Sequence, residues 1–284
     1  MSPTLTPPFE PLGARAFRTP TLAPATHTNS YALGQRQVLL VEPATPYEDE
    51  QHEWLAWARG LASTGRELVG VFLTHHHADH CGGAAHFAQQ LGLPLWAHEQ
   101  TARRIDAKVT RLLHEGETID LDGPSRERWQ VLLTPGHAPG HLCLWEQDKR
   151  ALVVGDMVAS VGTILIAPGE GHMRTYLTQL ERLTSLDART ALPAHGAPIA
   201  EPSQLFRTYV AHRLLREAKV LAALGTFDAG IGAGLDELVA VAYQDTPVAI
   251  HPIAKLSLQA HLDKLVEDGK AKHTMQGYAA AEVS

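Results

Sequence analysis

The chain has 284 residues, with 24 basic and 31 acidic side chains, a formal charge of −7 and a hydrophobic fraction of 44%. That length accommodates one α/β domain of about 200 residues plus a small appendage, and the apolar fraction supports a real core. No apolar run nears the roughly 20 residues of a membrane span, and the N-terminus lacks the basic and apolar regions of a secretory signal. The acidic balance also lacks the footprint of a protein that grips nucleic-acid phosphates. Two cysteines, Cys81 and Cys143, make no disulfide framework, so a reducing, cytoplasmic location is expected.

Residues 1–24 read as an extended, partly flexible lead-in, because prolines at 3, 7, 8, 11 and 20 deny regular structure. Ser30–Leu33 and Gln37–Val41, separated by a turn at Gly34, predict a hairpin. Apolar spacing predicts a helix over Glu48–Leu61, and the unbroken apolar run Leu68–Thr74 predicts a buried central strand. A helix over Ala84–Leu91 stops at Gly92, and a short strand follows at Leu93–Ala97. Gln130–Thr134, Leu142–Trp145 and Ala151–Gly155 read as strands. Met173–Leu186 is an amphipathic helix with Tyr176, Leu177, Leu180 and Leu183 on one face, and Ala191–Pro193 is a last strand. Beyond residue 204 the chain turns helical, over Gln204–Leu224, Leu235–Tyr243 and Ile253–Glu267, with a short hairpin through Gly277. This gives a layered α/β domain over 25–204 and a winged-helix-like tail over 205–284.

Histidine occurs 17 times, and one cluster stands out: Thr74-His75-His76-His77-Ala78-Asp79-His80 at the carboxyl end of a buried strand. In extended chain His75 and His77 point to one side, with Asp79 and His80 at the turn into a helix opened by Gly82 and Gly83. Imidazole suits zinc, iron and similar metals, and a carboxylate adds compensating charge. A solvated His-rich turn would explain one histidine pair; it does not explain four potential ligands in six residues. Three later strands end in the same manner, at Pro135-Gly136-His137, Gly155-Asp156 and Pro193-Ala194-His195-Gly196. Together these residues supply three ligands for each of two metals and one bridge.

In these motifs the sequence resembles the metallo-β-lactamase superfamily, whose five motifs match in order across residues 30–196. The resemblance implies an αββα sandwich in which His75, His77 and His137 hold one metal, Asp79, His80 and His195 the other, and Asp156 bridges them. The metals would be divalent, zinc first and iron or manganese as alternatives, about 3.5–4 Å apart and sharing a hydroxide nucleophile. Asp79 would orient that nucleophile or shuttle its proton. His76 is expected to point away, His141 to be structural, and Cys81 to be a small buried residue rather than a nucleophile. His172 is a candidate substrate contact, with helix N-terminal packing as its alternative. Glu42, in Val41-Glu42-Pro43-Ala44, stands where many members carry Asp, and would fill the acidic supporting role.

The tail segments His212-Arg213-Leu214-Leu215-Arg216-Glu217 and His261-Leu262-Asp263-Lys264-Leu265 resemble the lactamase-β-like branch, which joins this domain to a winged-helix-like tail and includes a mitochondrial endoribonuclease. Residues 205–284 carry eight Lys/Arg against nine Asp/Glu, however, which does not favour an RNA partner. The tail could instead wall the active site or form a homodimer contact. The expected activity is hydrolysis of a small ester, thioester or lactone. Single-strand-specific RNA cleavage, a mononuclear iron oxygenase and a metal-dependent regulator are the alternatives.

Overall fold

The computed structural model describes residues 7–281. Two six-stranded mixed sheets stack face to face. The first runs β1 (Gly13–Arg18), β2 (His27–Gly34), β3 (Gln37–Val41), β4 (Glu67–Phe72), β5 (Leu95–Ala97), β6 (Arg111–Leu112) in spatial order. The second runs β12 (Ile199–Ala200), β11 (Thr190–Pro193), β10 (Ala151–Gly155), β9 (Leu142–Glu146), β8 (Glu127–Leu133), β7 (Thr118–Leu121). Helices α1 (Glu48–Ser63), α2 (Ala78–Cys81), α3 (Ala84–Leu91) and α4 (Glu99–Ala102) accompany the first sheet, and α5 (Met173–Ser185) accompanies the second. The tail comprises most of α6 (Ser203–Leu224), then α7 (Leu235–Ala242), α8 (His251–Glu267) and the hairpin β13 (Ala271–Thr274)–β14 (Gly277–Ala280).

Strand parity builds the four layers. Alternate side chains of a strand face opposite sides of its sheet. Leu39, Val41, Val131, Leu142, Leu144 and Val153 therefore meet between the two sheets. Their neighbours Val38 and Leu40 face outward under α1 and α3, while Cys143, Leu152 and Val154 face outward under α5 and α6. Both faces of each central strand are buried, which explains the continuous apolar runs.

Two expectations change. The lead-in of 1–24 is not flexible over its second half: β1 pairs antiparallel with β2 from Gly13↔Ala32 to Arg18↔His27. Pro11 and Pro20 flank this segment without interrupting it, and Phe17 is buried against Trp57. Residues 1–6 of the expected lead-in, and 282–284 of the tail, lie outside the described residues. The division at 204/205 also cuts α6, whose Phe206 and Tyr209 pack into the outer core of the second sheet while Val220, Ala223 and Leu224 belong to the tail's own core. One helix thus joins both cores.

The α1/α3 layer is held by Phe87 stacked on Trp54, with ring centroids 4.0 Å apart and planes 8° from parallel. Trp54 in turn donates its Nε1–H to Ser30 Oγ at 2.9 Å. Phe87→Ala is expected to cost about 3–5 kcal/mol in denaturant unfolding, since the fully buried ring leaves a cavity at its stacking partner. A loss below about 1 kcal/mol would contradict this packing account.

Candidate metal centre

Every candidate ligand lies just beyond the carboxyl end of a strand: His75 to His80 after β4, His137 after β8, Asp156 after β10 and His195 after β11. Sharp turns aim them at one edge of the sandwich, and two of those turns require glycine. Gly136 has φ +130°, and a Cβ there would lie 2.4 Å from the backbone of Tyr176. Gly155 has φ +47°, and a Cβ there would meet the His141 ring at 2.5 Å.

The structure brings all seven predicted positions together. His75, His77 and His137 form one triad, and Asp79, His80 and His195 a second; within each, one potential ligand atom per residue lies within 4.8 Å of the others. Asp156 sits between them. Its Oδ2 is 3.4 Å from His137 Nε2, while its Oδ1 is 3.5 Å from His80 Nε2 and 3.4 Å from His195 Nε2. Asp79 Oδ2 lies 3.5 Å from His195 Nε2 and 3.7 Å from His80 Nε2.

The outward ring nitrogens decide what the inward ones present. His137 Nδ1 donates to Leu165 O at 2.9 Å, and His195 Nδ1 to His27 O at 3.0 Å. His77 Nε2 donates to Glu170 Oε2 at 3.0 Å, and His80 Nδ1 to Glu42 Oε1 at 3.1 Å. His75 Nδ1 donates to Thr74 Oγ1 at 2.9 Å, and that hydroxyl passes its own proton to the same Glu42 oxygen. Each neutral ring therefore turns a lone pair inward. In the first triad the three inward nitrogens are 2.9, 3.0 and 3.1 Å apart. Lone pairs cannot bond one another, but such a triangle suits one face of a tetrahedron around an ion with bonds of about 2.0–2.1 Å. In the second group the inward His80 Nε2 and Asp156 Oδ1 are buried without a hydrogen-bond partner. The residues fit a cation at each triad.

Without metal, the charges must compensate among themselves. Burial, with the neighbouring His80, His137 and His77, holds His75 well below the ordinary histidine range, and burial lowers His137 to about 4. Burial would lower His80 and His195 too, but the Asp156 and Asp79 carboxylates outweigh it, raising His80 and pushing His195 up to about 10. Asp79 falls to about 2: burial opposes this, and His80, His195 and a hydrogen bond from Thr21 overcome it.

The supporting residues are now placed. Glu42 is buried, adopts φ 57° and fixes both His80 and, through Thr74, His75. His141 donates Nδ1–H to Thr134 Oγ1 at 2.8 Å and accepts the Asp156 backbone N–H on Nε2 at 3.0 Å, so it aims the shared aspartate. Burial pushes the Cys81 thiol up to about 11, and its Sγ donates to His76 O, as expected of an inert small residue. His76 does point away from the inward nitrogens, onto Glu170 at 3.1 Å.

His172 takes the second of its two expected roles, at the N-terminus of a helix. It does not line the cleft; it caps α5, accepting from Thr175 N at 3.2 Å, and donates to Glu267 of α8 at 2.8 Å. Sequence reasoning missed Glu170, whose only signal was its flanking glycines. It also missed residues 20–25, which wall a cleft of about 230 Å³ over His77, Asp79, His137, Asp156 and His195. Nothing periodic marks that segment.

Residues 23–195 match the model of the metallo-beta-lactamase superfamily. The chain belongs to that superfamily. Residues 235–279 match the beta-lactamase associated winged helix domain, so this metallo-beta-lactamase-fold hydrolase carries the tail its sequence suggested. It is 28% identical over 249 residues to the "Beta-lactamase-like protein 2 homolog" of Caenorhabditis elegans, covering 85% of this chain and 79% of that one. It is 27% identical over 260 residues to an "Atrochrysone carboxyl ACP thioesterase" of Aspergillus aculeatus, covering 86% and 77%. A beta-lactamase domain protein from Burkholderia ambifaria superposes with a TM-score of 0.79 at 21% identity, covering 99% of this chain and 97% of that one. A protein solved in a di-iron-bound form superposes with a TM-score of 0.50 at 25% identity, covering 65% and 95%. Among the described residues, no helix is long and apolar enough to cross a membrane.

Two outcomes follow from the supporting residues. Glu42→Gln is expected to weaken metal affinity about 10–100-fold, read by competition with a chromophoric chelator, because the acceptor holding two rings is impaired; unchanged affinity would contradict its role. In metal-free protein, the stability from His80 and His195 is complete below their unfolded pKa of about 6.5 and is lost as pH rises, for His195 through about 10. His75 and His137 bind protons more weakly when folded, so stability also falls as pH drops below about 6.5. A melting-temperature profile of chelated protein should peak near neutrality; a flat profile from pH 5 to 9 would contradict this balance.

Proposed function

We propose that the protein is a binuclear metal-dependent hydrolase acting on a small ester, thioester or lactone, with thioesters first. The carrying observation is Asp156, one oxygen directed at each triad, with the inward lone pairs of both triads around it. A relative named as an acyl-carrier-protein thioesterase supports a carbonyl substrate, and a neighbour solved with two irons supports a pair of ions, leaving zinc, iron and manganese as candidates.

In this reading His75, His77 and His137 hold one ion, Asp79, His80 and His195 the other, and Asp156 both. When bound, such a pair lowers the pKa of a shared water towards about 7 and polarises the substrate carbonyl. The chain's own part is orientation and proton handling. Asp79 is ionised at neutral pH and lies at the floor of the cleft, where its carboxylate accepts a hydrogen bond from Thr21 and can orient the attacking water. Leu22, Val161 and Ile164 give the cleft apolar walls that suit a small acyl group and exclude water from it. That lining, with the negative balance of the tail, supports a small molecule over RNA.

Chelation should abolish thioester hydrolysis, and zinc, iron or manganese should restore it. Asp79→Asn should lower kcat by about 10²–10⁴-fold while the fold, read by circular dichroism, is unchanged. A thioester, ester and lactone panel that stays inert on metal-reconstituted protein, beside metal-dependent cleavage of unstructured RNA, would overturn the proposal in favour of a nuclease.

A further inference from the structure

Beside the cleft lies a second and larger cavity, of about 450 Å³, between the catalytic domain and the tail. The two cavities share their dividing wall, residues 22–24 and 162–165. The wall is held from both sides: His137 donates to Leu165 O, and Arg213 of α6 donates to Ile164 O. The far side of the second cavity is apolar and open to solvent, with Ile250 and Ile253 both exposed.

The polar groups of this cavity are unusual. Arg213 is only 3% exposed, yet among the described residues it pairs with no carboxylate, whereas its neighbour Arg216 is bound to Asp245. Besides Ile164 O, its partners are hydroxyls at the limit of bonding, Thr163 at 3.3 Å and Ser257 at 3.4 Å, and the ring of Tyr176, whose centroid lies 5.8 Å from the guanidinium carbon. Its Nε has no hydrogen-bond partner, and the buried Oη of Tyr243 has only Ser257 beside it, outside good hydrogen-bond geometry. A buried cation without a counter-charge and a buried hydroxyl that is poorly paired are both costly. Two poorly satisfied donors on residues that line one cavity leave a place for an acceptor that comes with a ligand, and a guanidinium matches a carboxylate best.

We propose that this cavity is the distal half of the substrate site, taking an apolar chain or ring that ends in a carboxylate, with Arg213 and Tyr243 receiving the carboxylate. The proposal rests on the hydrolase reading of the adjoining cleft, and it makes Arg213 a determinant of specificity. The carboxylate can belong to the acyl group or to the leaving thiol; both present the same group to Arg213. Loop residues 162–165 would then sit against the middle of the bound molecule, between the scissile bond and the charged end.

The test uses full-length, metal-reconstituted protein. Three thioesters are compared: octanedioic acid on N-acetylcysteamine, its terminal methyl ester, and octanoyl 3-mercaptopropionate, which carries the carboxylate on the thiol side. One carboxylate-bearing substrate should exceed the methyl ester in kcat/KM by about tenfold or more, and whichever does so identifies the side. Arg213→Gln, and independently Ile253→Trp, which fills the cavity from an exposed position, should bring that ratio to about one. An arginine that only clamps the wall would lower all substrates together and leave the ratio intact, which would overturn the proposal. A ratio of one in the native protein would do the same. Calorimetry with thioether analogues of the same three molecules reads the cavity without turnover. Carboxylate-dependent binding lost in both variants supports the cavity even if no thioester is cleaved, in which case only the hydrolase reading fails. A carboxylate held at the metals keeps its affinity in both variants, and that result would overturn the proposal.

Discussion

Five imidazoles converge at one edge of the sandwich with their lone pairs inward, and much of the surrounding structure serves to keep them so. Each outward ring nitrogen is tied to an acceptor: a backbone carbonyl for His137 and His195, Glu170 for His77, Thr74 for His75 and Glu42 for His80. In the first triad the lone pairs lie about 3 Å apart and repel one another, which a shared cation would relieve, whereas in the second group the two aspartates attract protons in a cation's place. Glu42 has the most to hold. It fixes two rings from one oxygen in a left-handed backbone conformation, a strain that persists because its neighbours determine it.

The fold delivers these rings by simple means. Strand parity buries both faces of β10 and β11 and of the carboxyl-terminal halves of β4 and β8, which leaves their carboxyl ends as rigid platforms at one edge. Gly136 and Gly155 then let the chain turn tightly enough to bring His137 and Asp156 beside His75. The tail does more than follow. Through α6 it enters the outer core of the second sheet, through Glu267 it holds the cap of α5, and through Arg213 it grips the loop that His137 holds from the other side.

What was legible in the sequence is what local spacing determines. The dense run His75-His76-His77-Ala78-Asp79-His80 behind an apolar strand, and the glycine turns before His137 and Asp156, carry their geometry within a few residues. The helix Ala84–Leu91 ended at Gly92 as read, because that glycine adopts the left-handed conformation that closes a helix. What was not legible depends on distant partners. β1 lies between prolines and is a strand only because β2 pairs with it. Residues 20–25 wall the cleft with no periodic signal, Glu170 acquires meaning only opposite His77, and His172 pairs with Glu267, 95 residues away.

The account rests on Asp156 serving two cations at once, and anomalous scattering from crystals grown with zinc or iron tests that most directly. It predicts two peaks per chain, about 3.5–4 Å apart, one within bonding distance of His75, His77 and His137 and the other of Asp79, His80 and His195, with an Asp156 oxygen on each. A single peak at full occupancy under saturating metal, or two peaks with Asp156 turned away from both, would contradict it.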